Sequence, residues 1–232
     1  MDRLSSRLVD ANNPRSLSYR ARKRRWLKFA ETFPDVADMR VLDLGGTPDY
    51  WRNAPSRPGH LTLVNMVPAT AVAGEVVVLG DACAPPSAVM SQRYDLVVSN
   101  SLIEHVGGHS RRQQLADVIS RIGDSYWVQT PYRYFPIEPH WMFPGLQFLP
   151  FEARVRATQL WKIGNMQTAD RQTAIDNVAE VELLGMTQMR DYFPDGDIWT
   201  ERAAGLVKSM VSIRFGGHWF VQKSPSTTPG TD

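Results

Sequence analysis

The chain has 232 residues, of which 43% are apolar, and it carries a formal net charge of +2 at pH 7. This length and apolar content suit one α/β domain with its own core, and a charge so near zero argues against general binding to polyanions. The single cysteine, Cys83, excludes an intramolecular disulfide framework and favours a reducing compartment.

The start of the chain, MDRLSSRLVDANNPRS, lacks the apolar core of a signal peptide. Nowhere does the sequence contain the roughly 18 consecutive apolar residues of a membrane-spanning helix. We therefore expect a cytoplasmic protein without a membrane span. Residues 1–14 are polar and end in Asn-Asn-Pro, which predicts a mobile N-terminal arm.

A helix with a basic face is predicted from Ser16 to Phe33, because Trp26, Ala30 and Phe33 recur at helical spacing. Three interpretations of the basic face stay open. It can be a solvated face at the edge of a sheet, it can attract an anionic acceptor, or Tyr19 or Arg20 can clamp the carboxylate of a cofactor. The basic residues are Arg20, Arg22, Lys23, Arg24, Arg25 and Lys28.

The segment RVLDLGGTPDYW, Arg40 to Trp51, combines a strand-like run with a tight turn at Gly45-Gly46. At the carboxyl end of a first strand, glycines allow a nucleotide-like ligand to approach the backbone, and a polar residue about 20 positions on can hold a ribose. Asn65 stands there. The G-x-G-x-x-G spacing of dinucleotide folds is absent, which favours a ligand without a pyrophosphate.

The following apolar runs predict further strands, and their lack of clean alternation predicts a parallel sheet that is covered on both faces. A helix from Ser110 to Ile122 is predicted to begin with a capping box of Ser110 and Gln113. The predicted strands are Leu61 to Asn65, Glu75 to Leu79, Tyr94 to Ser99 and Tyr126 to Gln129.

Regular periodicity is absent from Thr130 to Pro150, a segment rich in proline and aromatic residues. A lid over a ligand is favoured over a hydrophobic plug in the core. Beyond it, a last short helix is predicted to be capped by Thr187, and residues 223–232 are expected to be disordered. The remaining predicted elements are helices Phe151 to Trp161 and Ala169 to Leu184, and strands Asp197 to Glu201 and Met210 to Phe215.

The motifs DLGG, LVN, GDA and YDLVVSNSLIEHV together resemble the class I S-adenosylmethionine-dependent methyltransferases. The tract QTPYRYFPIEPHWMFPG looks like that of a narrower branch, which acts on sugars or other small hydroxylated acceptors. The resemblance covers roughly residues 15 to 215. It implies one Rossmann-like domain over residues 15–222: a doubly wound, mostly parallel seven-stranded sheet with flanking helices and an aromatic lid, about residues 130–165, inserted after strand five.

The resemblance also implies a cofactor site for S-adenosylmethionine. Asp43, Gly45 and Gly46 would surround the methionine moiety, and Asn65 would hold the ribose without the charge-assisted bond of the usual acid. Asp81 and Ala82 would meet the adenine, and Asn100 the reactive end of the cofactor. Local alternatives remain: Asp81 can cap a loop and Asn100 can be a turn residue.

An alcohol acceptor must lose a proton, and four residues are candidates for this step: His140, Glu138, His105 and Glu104. His140 is the preferred base because a loop after strand five can cover the sulfonium, with Glu138 in a positioning role. His105 and Glu104 can instead form a structural turn. Gly107-Gly108 disfavours the helix that would align His105 and His109 as metal ligands. Glutamates and histidines can still converge in space, so a bound metal ion, Mg²⁺ included, is left open.

These features predict an O-methyltransferase that uses S-adenosylmethionine on a hydroxyl of a sugar or oligosaccharide. Alternatives are methylation of a phenol, carboxylate or amine, an NAD-dependent oxidoreductase, and a nucleic-acid-associated module that uses the basic helix. No recognisable RNA-binding module accompanies the core, so no specific nucleic-acid partner is predicted. The basic helix and the aromatic lid are each candidates for a homodimer contact.

Overall fold

The computed structural model describes residues 17–52 and 54–216, with the side chains of residues 17–21 outside that description. The predicted arm (1–14), the predicted disordered tail (223–232) and the side chains of Tyr19 and Arg20 lie outside the described residues.

A seven-stranded sheet forms the centre of the described chain. Its strands are β1 Arg40–Leu44, β2 His60–Asn65, β3 Val76–Leu79, β4 Tyr94–Asn100, β5 Gly123–Pro131, β8 Asp197–Ala203 and β9 Leu206–Arg214. They lie in the order β3-β2-β1-β4-β5-β9-β8. Strands β1 to β5 run parallel, and β9 is antiparallel to both β5 and β8. The predicted mostly parallel, doubly wound sheet is thereby confirmed.

Helices cover both faces of the sheet because its apolar strands present side chains to each side. On one face, Trp26 and Phe29 pack with Trp51 and Trp127; on the other, helices contribute residues such as Leu115. The helices are α1 Leu17–Thr32, α2 Pro48–Arg52, α3 Ser87–Met90, α4 His109–Ile122, α5 Phe151–Leu160, α6 Arg171–Glu180 and α7 Met186–Tyr192. No helix among the described residues is long and apolar enough to span a bilayer.

The aromatic segment after β5 folds against α5 and α6 around an apolar cluster that is separate from the two on the faces of the sheet. We call it the third cluster. It contains the short strands β6, Ile137–Glu138, and β7, Phe143–Pro144, which pair with each other. Trp141 is buried in that cluster, whereas Tyr134 and Phe148 are 62% and 53% exposed and stack on each other. The segment thus has an inner surface that packs and an outer surface that is open.

Three local predictions are wrong at helix ends. Helix α4 begins at His109 with Gly108 as its N-cap and without a side-chain cap, so Ser110 and Gln113 form no capping box. Helix α7 begins at Met186 after Gly185, so Thr187 lies inside it. The predicted helix Ala169 to Leu184 ends at Glu180 because the next residues leave to join the third cluster and to pair with the loop after β5.

Candidate active site

The glycine turn after β1 lies directly on the carboxylate of Asp43. Gly45 has φ +84° and donates its N–H to the carbonyl of Val64 at 2.8 Å. A Cβ placed on Gly46 would lie 2.1 Å from Asp43 Oδ2. Only glycine fits there, which explains the Gly45-Gly46 pair without a pyrophosphate motif.

Asp43 is 1% exposed and accepts a hydrogen bond from Trp51 Nε1 at 2.7 Å on Oδ2. Burial raises the pKa of Asp43 to about 7, although the Trp51 bond opposes the shift. Its Oδ1 has no hydrogen-bond partner among the described residues. A buried carboxyl with a free acceptor therefore lies beneath the turn.

Asn65, at the end of β2, ties its strand to the same turn. Its Nδ2 donates to the carbonyl oxygens of Gly45 and Gly46 at 3.0 and 3.2 Å, and its Oδ1 accepts from the N–H of Val67 at 3.0 Å. The predicted contact with a ribose would have to compete with these bonds. Asn65 thus shapes the turn as well as lying at the expected position.

Asp81 follows β3 and is held by a residue that sequence reasoning missed. Arg111 on α4 donates from Nη2 to Asp81 Oδ2 at 2.6 Å, and the Cys83 N–H donates to Oδ1 at 2.9 Å. Although burial favours the neutral acid, the bonds from Arg111 and Cys83 hold the pKa of Asp81 below its ordinary value. Asp81 therefore caps its loop, and adjacent Ala82 is buried. An adenine amine would share this carboxylate with Arg111.

A strained residue that the sequence did not single out follows directly after β4. Ser101 has φ +51°, a region that non-glycine residues seldom occupy and that often marks a functional site. Its Oγ donates to Gln129 Oε1 at 3.1 Å. The preceding Asn100 accepts from Trp127 Nε1 at 3.3 Å. Asn100 therefore lies at the sheet edge with its side chain anchored locally.

The loop after β4 connects the glycine turn to the predicted catalytic residues. A Cβ on Gly45 would lie 2.9 Å from the side chain of Leu102, so this loop packs on the turn. Two residues later, Glu104 is fully buried and accepts from Thr130 Oγ1 at 2.9 Å on Oε2, while its Oε1 has no partner among the described residues. Burial raises the pKa of Glu104.

Glu138 fixes the orientation of His140. Its Oε1 lies 2.6 Å from His140 Nδ1, and its Oε2 accepts from the N–H groups of His140 and Trp141 at 2.7 and 2.9 Å. A carboxylate accepting at Nδ1 requires the proton there, which leaves the lone pair of neutral His140 on Nε2. Burial lowers the pKa of His140, but Glu138 outweighs it and the net shift is upward.

His105 faces that lone pair. The two Nε2 atoms of His105 and His140 are 3.1 Å apart, so His105 donates when His140 is neutral and accepts when His140 is protonated. Burial, followed by the nearby charge of His140, lowers the pKa of His105 to about 4. Its Nδ1 lies 3.6 Å from Glu180 Oε1, too far for a hydrogen bond. The structure thus brings together all four predicted catalytic residues.

Three of these residues have the arrangement of possible metal ligands. Glu104, His105 and His140 each present one ligand atom, and these atoms lie within 4.8 Å of one another. Two imidazoles suit ions of the zinc class better than Mg²⁺, which prefers oxygen. His109 is not part of the group, because its Nδ1 lies 2.9 Å from the hydroxyl of Tyr192.

Comparison with solved structures gives the fold. The N-methyltransferase NodS from Bradyrhizobium japonicum aligns over 88% of this chain and 97% of its own at 10% identity, with a TM-score of 0.50. A cyclopropane-fatty-acyl-phospholipid synthase-like protein from Lactobacillus casei aligns over 84% and 91% at 11% identity, also with a TM-score of 0.50. The chain has a Rossmann-like methyltransferase fold.

A Rhodobacter sphaeroides protein named for Zn-dependent alcohol dehydrogenases aligns over 82% of this chain and 87% of its own at 13% identity, with a TM-score of 0.54. No protein-family model and no curated protein sequence matches the chain. At such identities, likeness establishes the fold and not the reaction.

In an open α/β fold, ligands bind at the carboxyl ends of the strands. In this methyltransferase fold that edge contains Asp43 near the end of β1 and Gly45 directly after it, Asn65 and Asn100 as the last residues of β2 and β4, and Asp81 just after β3. The predicted cofactor residues with described side chains therefore share one edge of the sheet.

Proposed function

We propose that the chain is an S-adenosylmethionine-dependent O-methyltransferase that acts on a hydroxyl of a sugar or oligosaccharide. The observation that carries this proposal is the Glu138 and His140 pair, beside the loop that packs on the glycine turn. S-Adenosylmethionine, when bound, supplies an electrophilic methyl group on a sulfonium. The chain must align the acceptor oxygen and remove its proton.

His140 is the base in this proposal, and Glu138 is its positioning residue. The acceptor hydroxyl takes the place of His105 at His140 Nε2 and donates its proton there. Bound S-adenosylmethionine would supply the methyl group and would keep the electron pair of its carbon–sulfur bond as the thioether, while His140 would hold the proton of the acceptor hydroxyl. Glu138 stabilises the resulting imidazolium, since its carboxylate lies 2.6 Å from Nδ1.

The aromatic segment supports a sugar as acceptor. We assign residues of about 130–165 as a lid, with Tyr134 and Phe148 as an exposed stacked pair and Trp141 as an inner wall. Aromatic faces pack well on the C–H side of a sugar ring while polar groups take its hydroxyls.

Two rival functions are distinguishable. Methyl transfer to an amine has no need of a base such as His140, and a phenol or carboxylate acceptor would be found by substrate screening.

An NAD-dependent oxidoreductase is disfavoured because the turn lacks a third glycine and Asn65 replaces the acid that binds a ribose. The structural likeness to a protein named for alcohol dehydrogenases makes a direct cofactor test necessary.

Calorimetric titration tests the cofactor. We expect S-adenosylmethionine and S-adenosylhomocysteine to bind and NAD not to bind. Asp81→Ala should weaken both by roughly 10-fold, the value of about one charge-assisted hydrogen bond. Arg111→Gln, which frees Asp81 for the adenine, should not weaken them comparably. Saturable binding of NAD alone would overturn the proposal.

Removal of metal ions tests the assignment of His140 as base. Because the proton passes to a free imidazole, we expect EDTA treatment to leave the methyl transfer rate unchanged. A rate that falls on chelation and returns with Zn²⁺ or Mn²⁺ would instead make Glu104, His105 and His140 ligands of a catalytic ion.

A further inference from the structure

A cavity of about 200 Å³ lies between the aromatic segment, α5 and the chain after α6. Leucine and valine side chains form part of its wall. Its polar lining consists of Arg133, Arg154, Glu138, Glu182, Trp141 and Gln147. None of the predicted cofactor residues with described side chains lines this cavity, so the cavity calls for a separate explanation.

The two arginines of the cavity lack ion-pair partners among the described residues. Arg154 is half-buried, and its Nε has no hydrogen-bond partner there. Burial and then the charge of Arg133 lower the pKa of Arg154, while the nearby carboxylates of Glu182 and Glu138 oppose this shift. A half-buried guanidinium that contacts no anion directly is only partly compensated for its desolvation.

The carboxylates of the cavity are already engaged elsewhere. Glu182 accepts from Arg112 Nη2 at 2.6 Å, and Glu138 accepts three hydrogen bonds from the His140 and Trp141 region. They therefore offset the arginine charges only in part.

Further polar atoms on the cavity wall also lack partners. Trp141 is 3% exposed, and its Nε1 donor has no acceptor among the described residues. Gln147 Oε1 likewise has no donor, while its Nε2 is anchored by the carbonyls of Arg133 and Phe135 at 3.0 and 2.7 Å. Buried polar groups of native proteins are normally satisfied, and several open ones around one cavity offer donors and acceptors to a polar ligand.

We propose that this cavity binds the anionic group, carboxylate or phosphate, of an acidic sugar acceptor through Arg133 and Arg154. Guanidinium groups match both anions with paired N–H donors. Trp141 Nε1 donates a further bond, and Gln147 Oε1 accepts from a hydroxyl of the same ligand.

The cavity and the proposed base share a wall, so the anchored acceptor lies beside the reaction centre. Glu138 lines the cavity and holds His140, and the N–H of Glu182 donates to the carbonyl of Glu104 at 2.9 Å. The assignment of the anion as part of the acceptor rests on the proposed methyl transfer, whereas anion binding itself does not.

The experiment is calorimetric titration of the full chain, in the presence of S-adenosylhomocysteine, with three probes: D-glucuronate, glucose 6-phosphate and neutral D-glucose. We expect one or both anionic sugars to bind and glucose not to bind detectably. Which anion binds distinguishes carboxylate from phosphate. Arg133→Gln and Arg154→Gln should each weaken this binding by roughly 10- to 100-fold, as expected for hydrogen bonds between charged groups.

Arg156→Gln is the matched control, because Arg156 is exposed on the same helix as Arg154. Arg154→Lys keeps the charge but loses the paired donors, so it should weaken binding less than Arg154→Gln. The binding of S-adenosylhomocysteine verifies that each variant folds. The proposal is overturned if neither anion binds, if glucose binds equally well, or if the cavity variants behave like Arg156→Gln. Failure of S-adenosylhomocysteine to bind the wild-type chain would refute the proposed function instead.

Discussion

Replacement of His140 by alanine is expected to lower the rate of methyl transfer by roughly 10²- to 10⁴-fold, the usual contribution of a general base. The buried carboxylate of Glu138 directs the lone pair of neutral His140 to Nε2, which faces His105. Since His140 is proposed to bind the acceptor proton and not the cofactor, the affinity for S-adenosylhomocysteine should stay within about twofold. Single-turnover formation of S-adenosylhomocysteine with a confirmed acceptor measures the chemical step.

Two further variants serve as comparisons for the rate of His140→Ala. His60→Ala removes an exposed histidine at the start of β2 and should keep the full rate. Glu138→Gln should give a smaller loss than His140→Ala, because the imidazole remains but its orientation and charge stabilisation weaken. A His140→Ala variant that retains full activity would rule out this base and would favour an amine acceptor.

Gly46→Ala is expected to abolish measurable cofactor binding, with an affinity loss of at least about 100-fold. The added Cβ would lie 2.1 Å from Asp43 Oδ2 and 2.3 Å from Asp43 Cγ, and the carboxyl is fixed by Trp51 and surrounded by the core. The turn must therefore shift, and overpacking of this kind costs about 1–3 kcal/mol in the free energy of unfolding. Calorimetry with S-adenosylhomocysteine and thermal unfolding measure the two effects.

Gly108→Ala is the matched control, because a Cβ there meets nothing within 4 Å and the residue has φ −67°. Its cost in the free energy of unfolding should be limited to about 0.5–1 kcal/mol, because glycine is preferred over alanine at a helix N-cap. If Gly46→Ala bound the cofactor as well as Gly108→Ala does, the turn would not be the cofactor site.

The sequence predicts the sheet well because each parallel strand contains a short group of apolar residues, and residues next to a strand end stay at that end in the fold. Asp43, Asn65, Asp81 and Asn100 are placed by this logic. Helix starts were less predictable, since Gly108 and Gly185 serve as N-caps where hydroxyl residues were expected. Glycine leaves no side-chain signal for that role.

The contacts between distant residues could not be read from the sequence. Arg111 lies on α4 and reaches Asp81 after β3, and His140 meets His105 only because the aromatic segment folds back over the loop after β4. The pairing of Arg133 with Arg154 around one cavity depends on where α5 packs. Such contacts depend on tertiary packing, which local patterns of hydrophobicity do not predict.

The position of β9 has a consequence for how the protein folds during synthesis. Strand β5, which carries Gln129 and Thr130, hydrogen-bonds along one side to β9, the last described strand of the chain. Until β9 has left the ribosome, β5 is an unpaired edge, and long-range pairing of this kind is slow to form. Thr130 holds the buried Glu104. Hence the glycine turn, the proposed cofactor site, can assemble early in translation, whereas the proposed catalytic cluster waits for β9 to pair with β5.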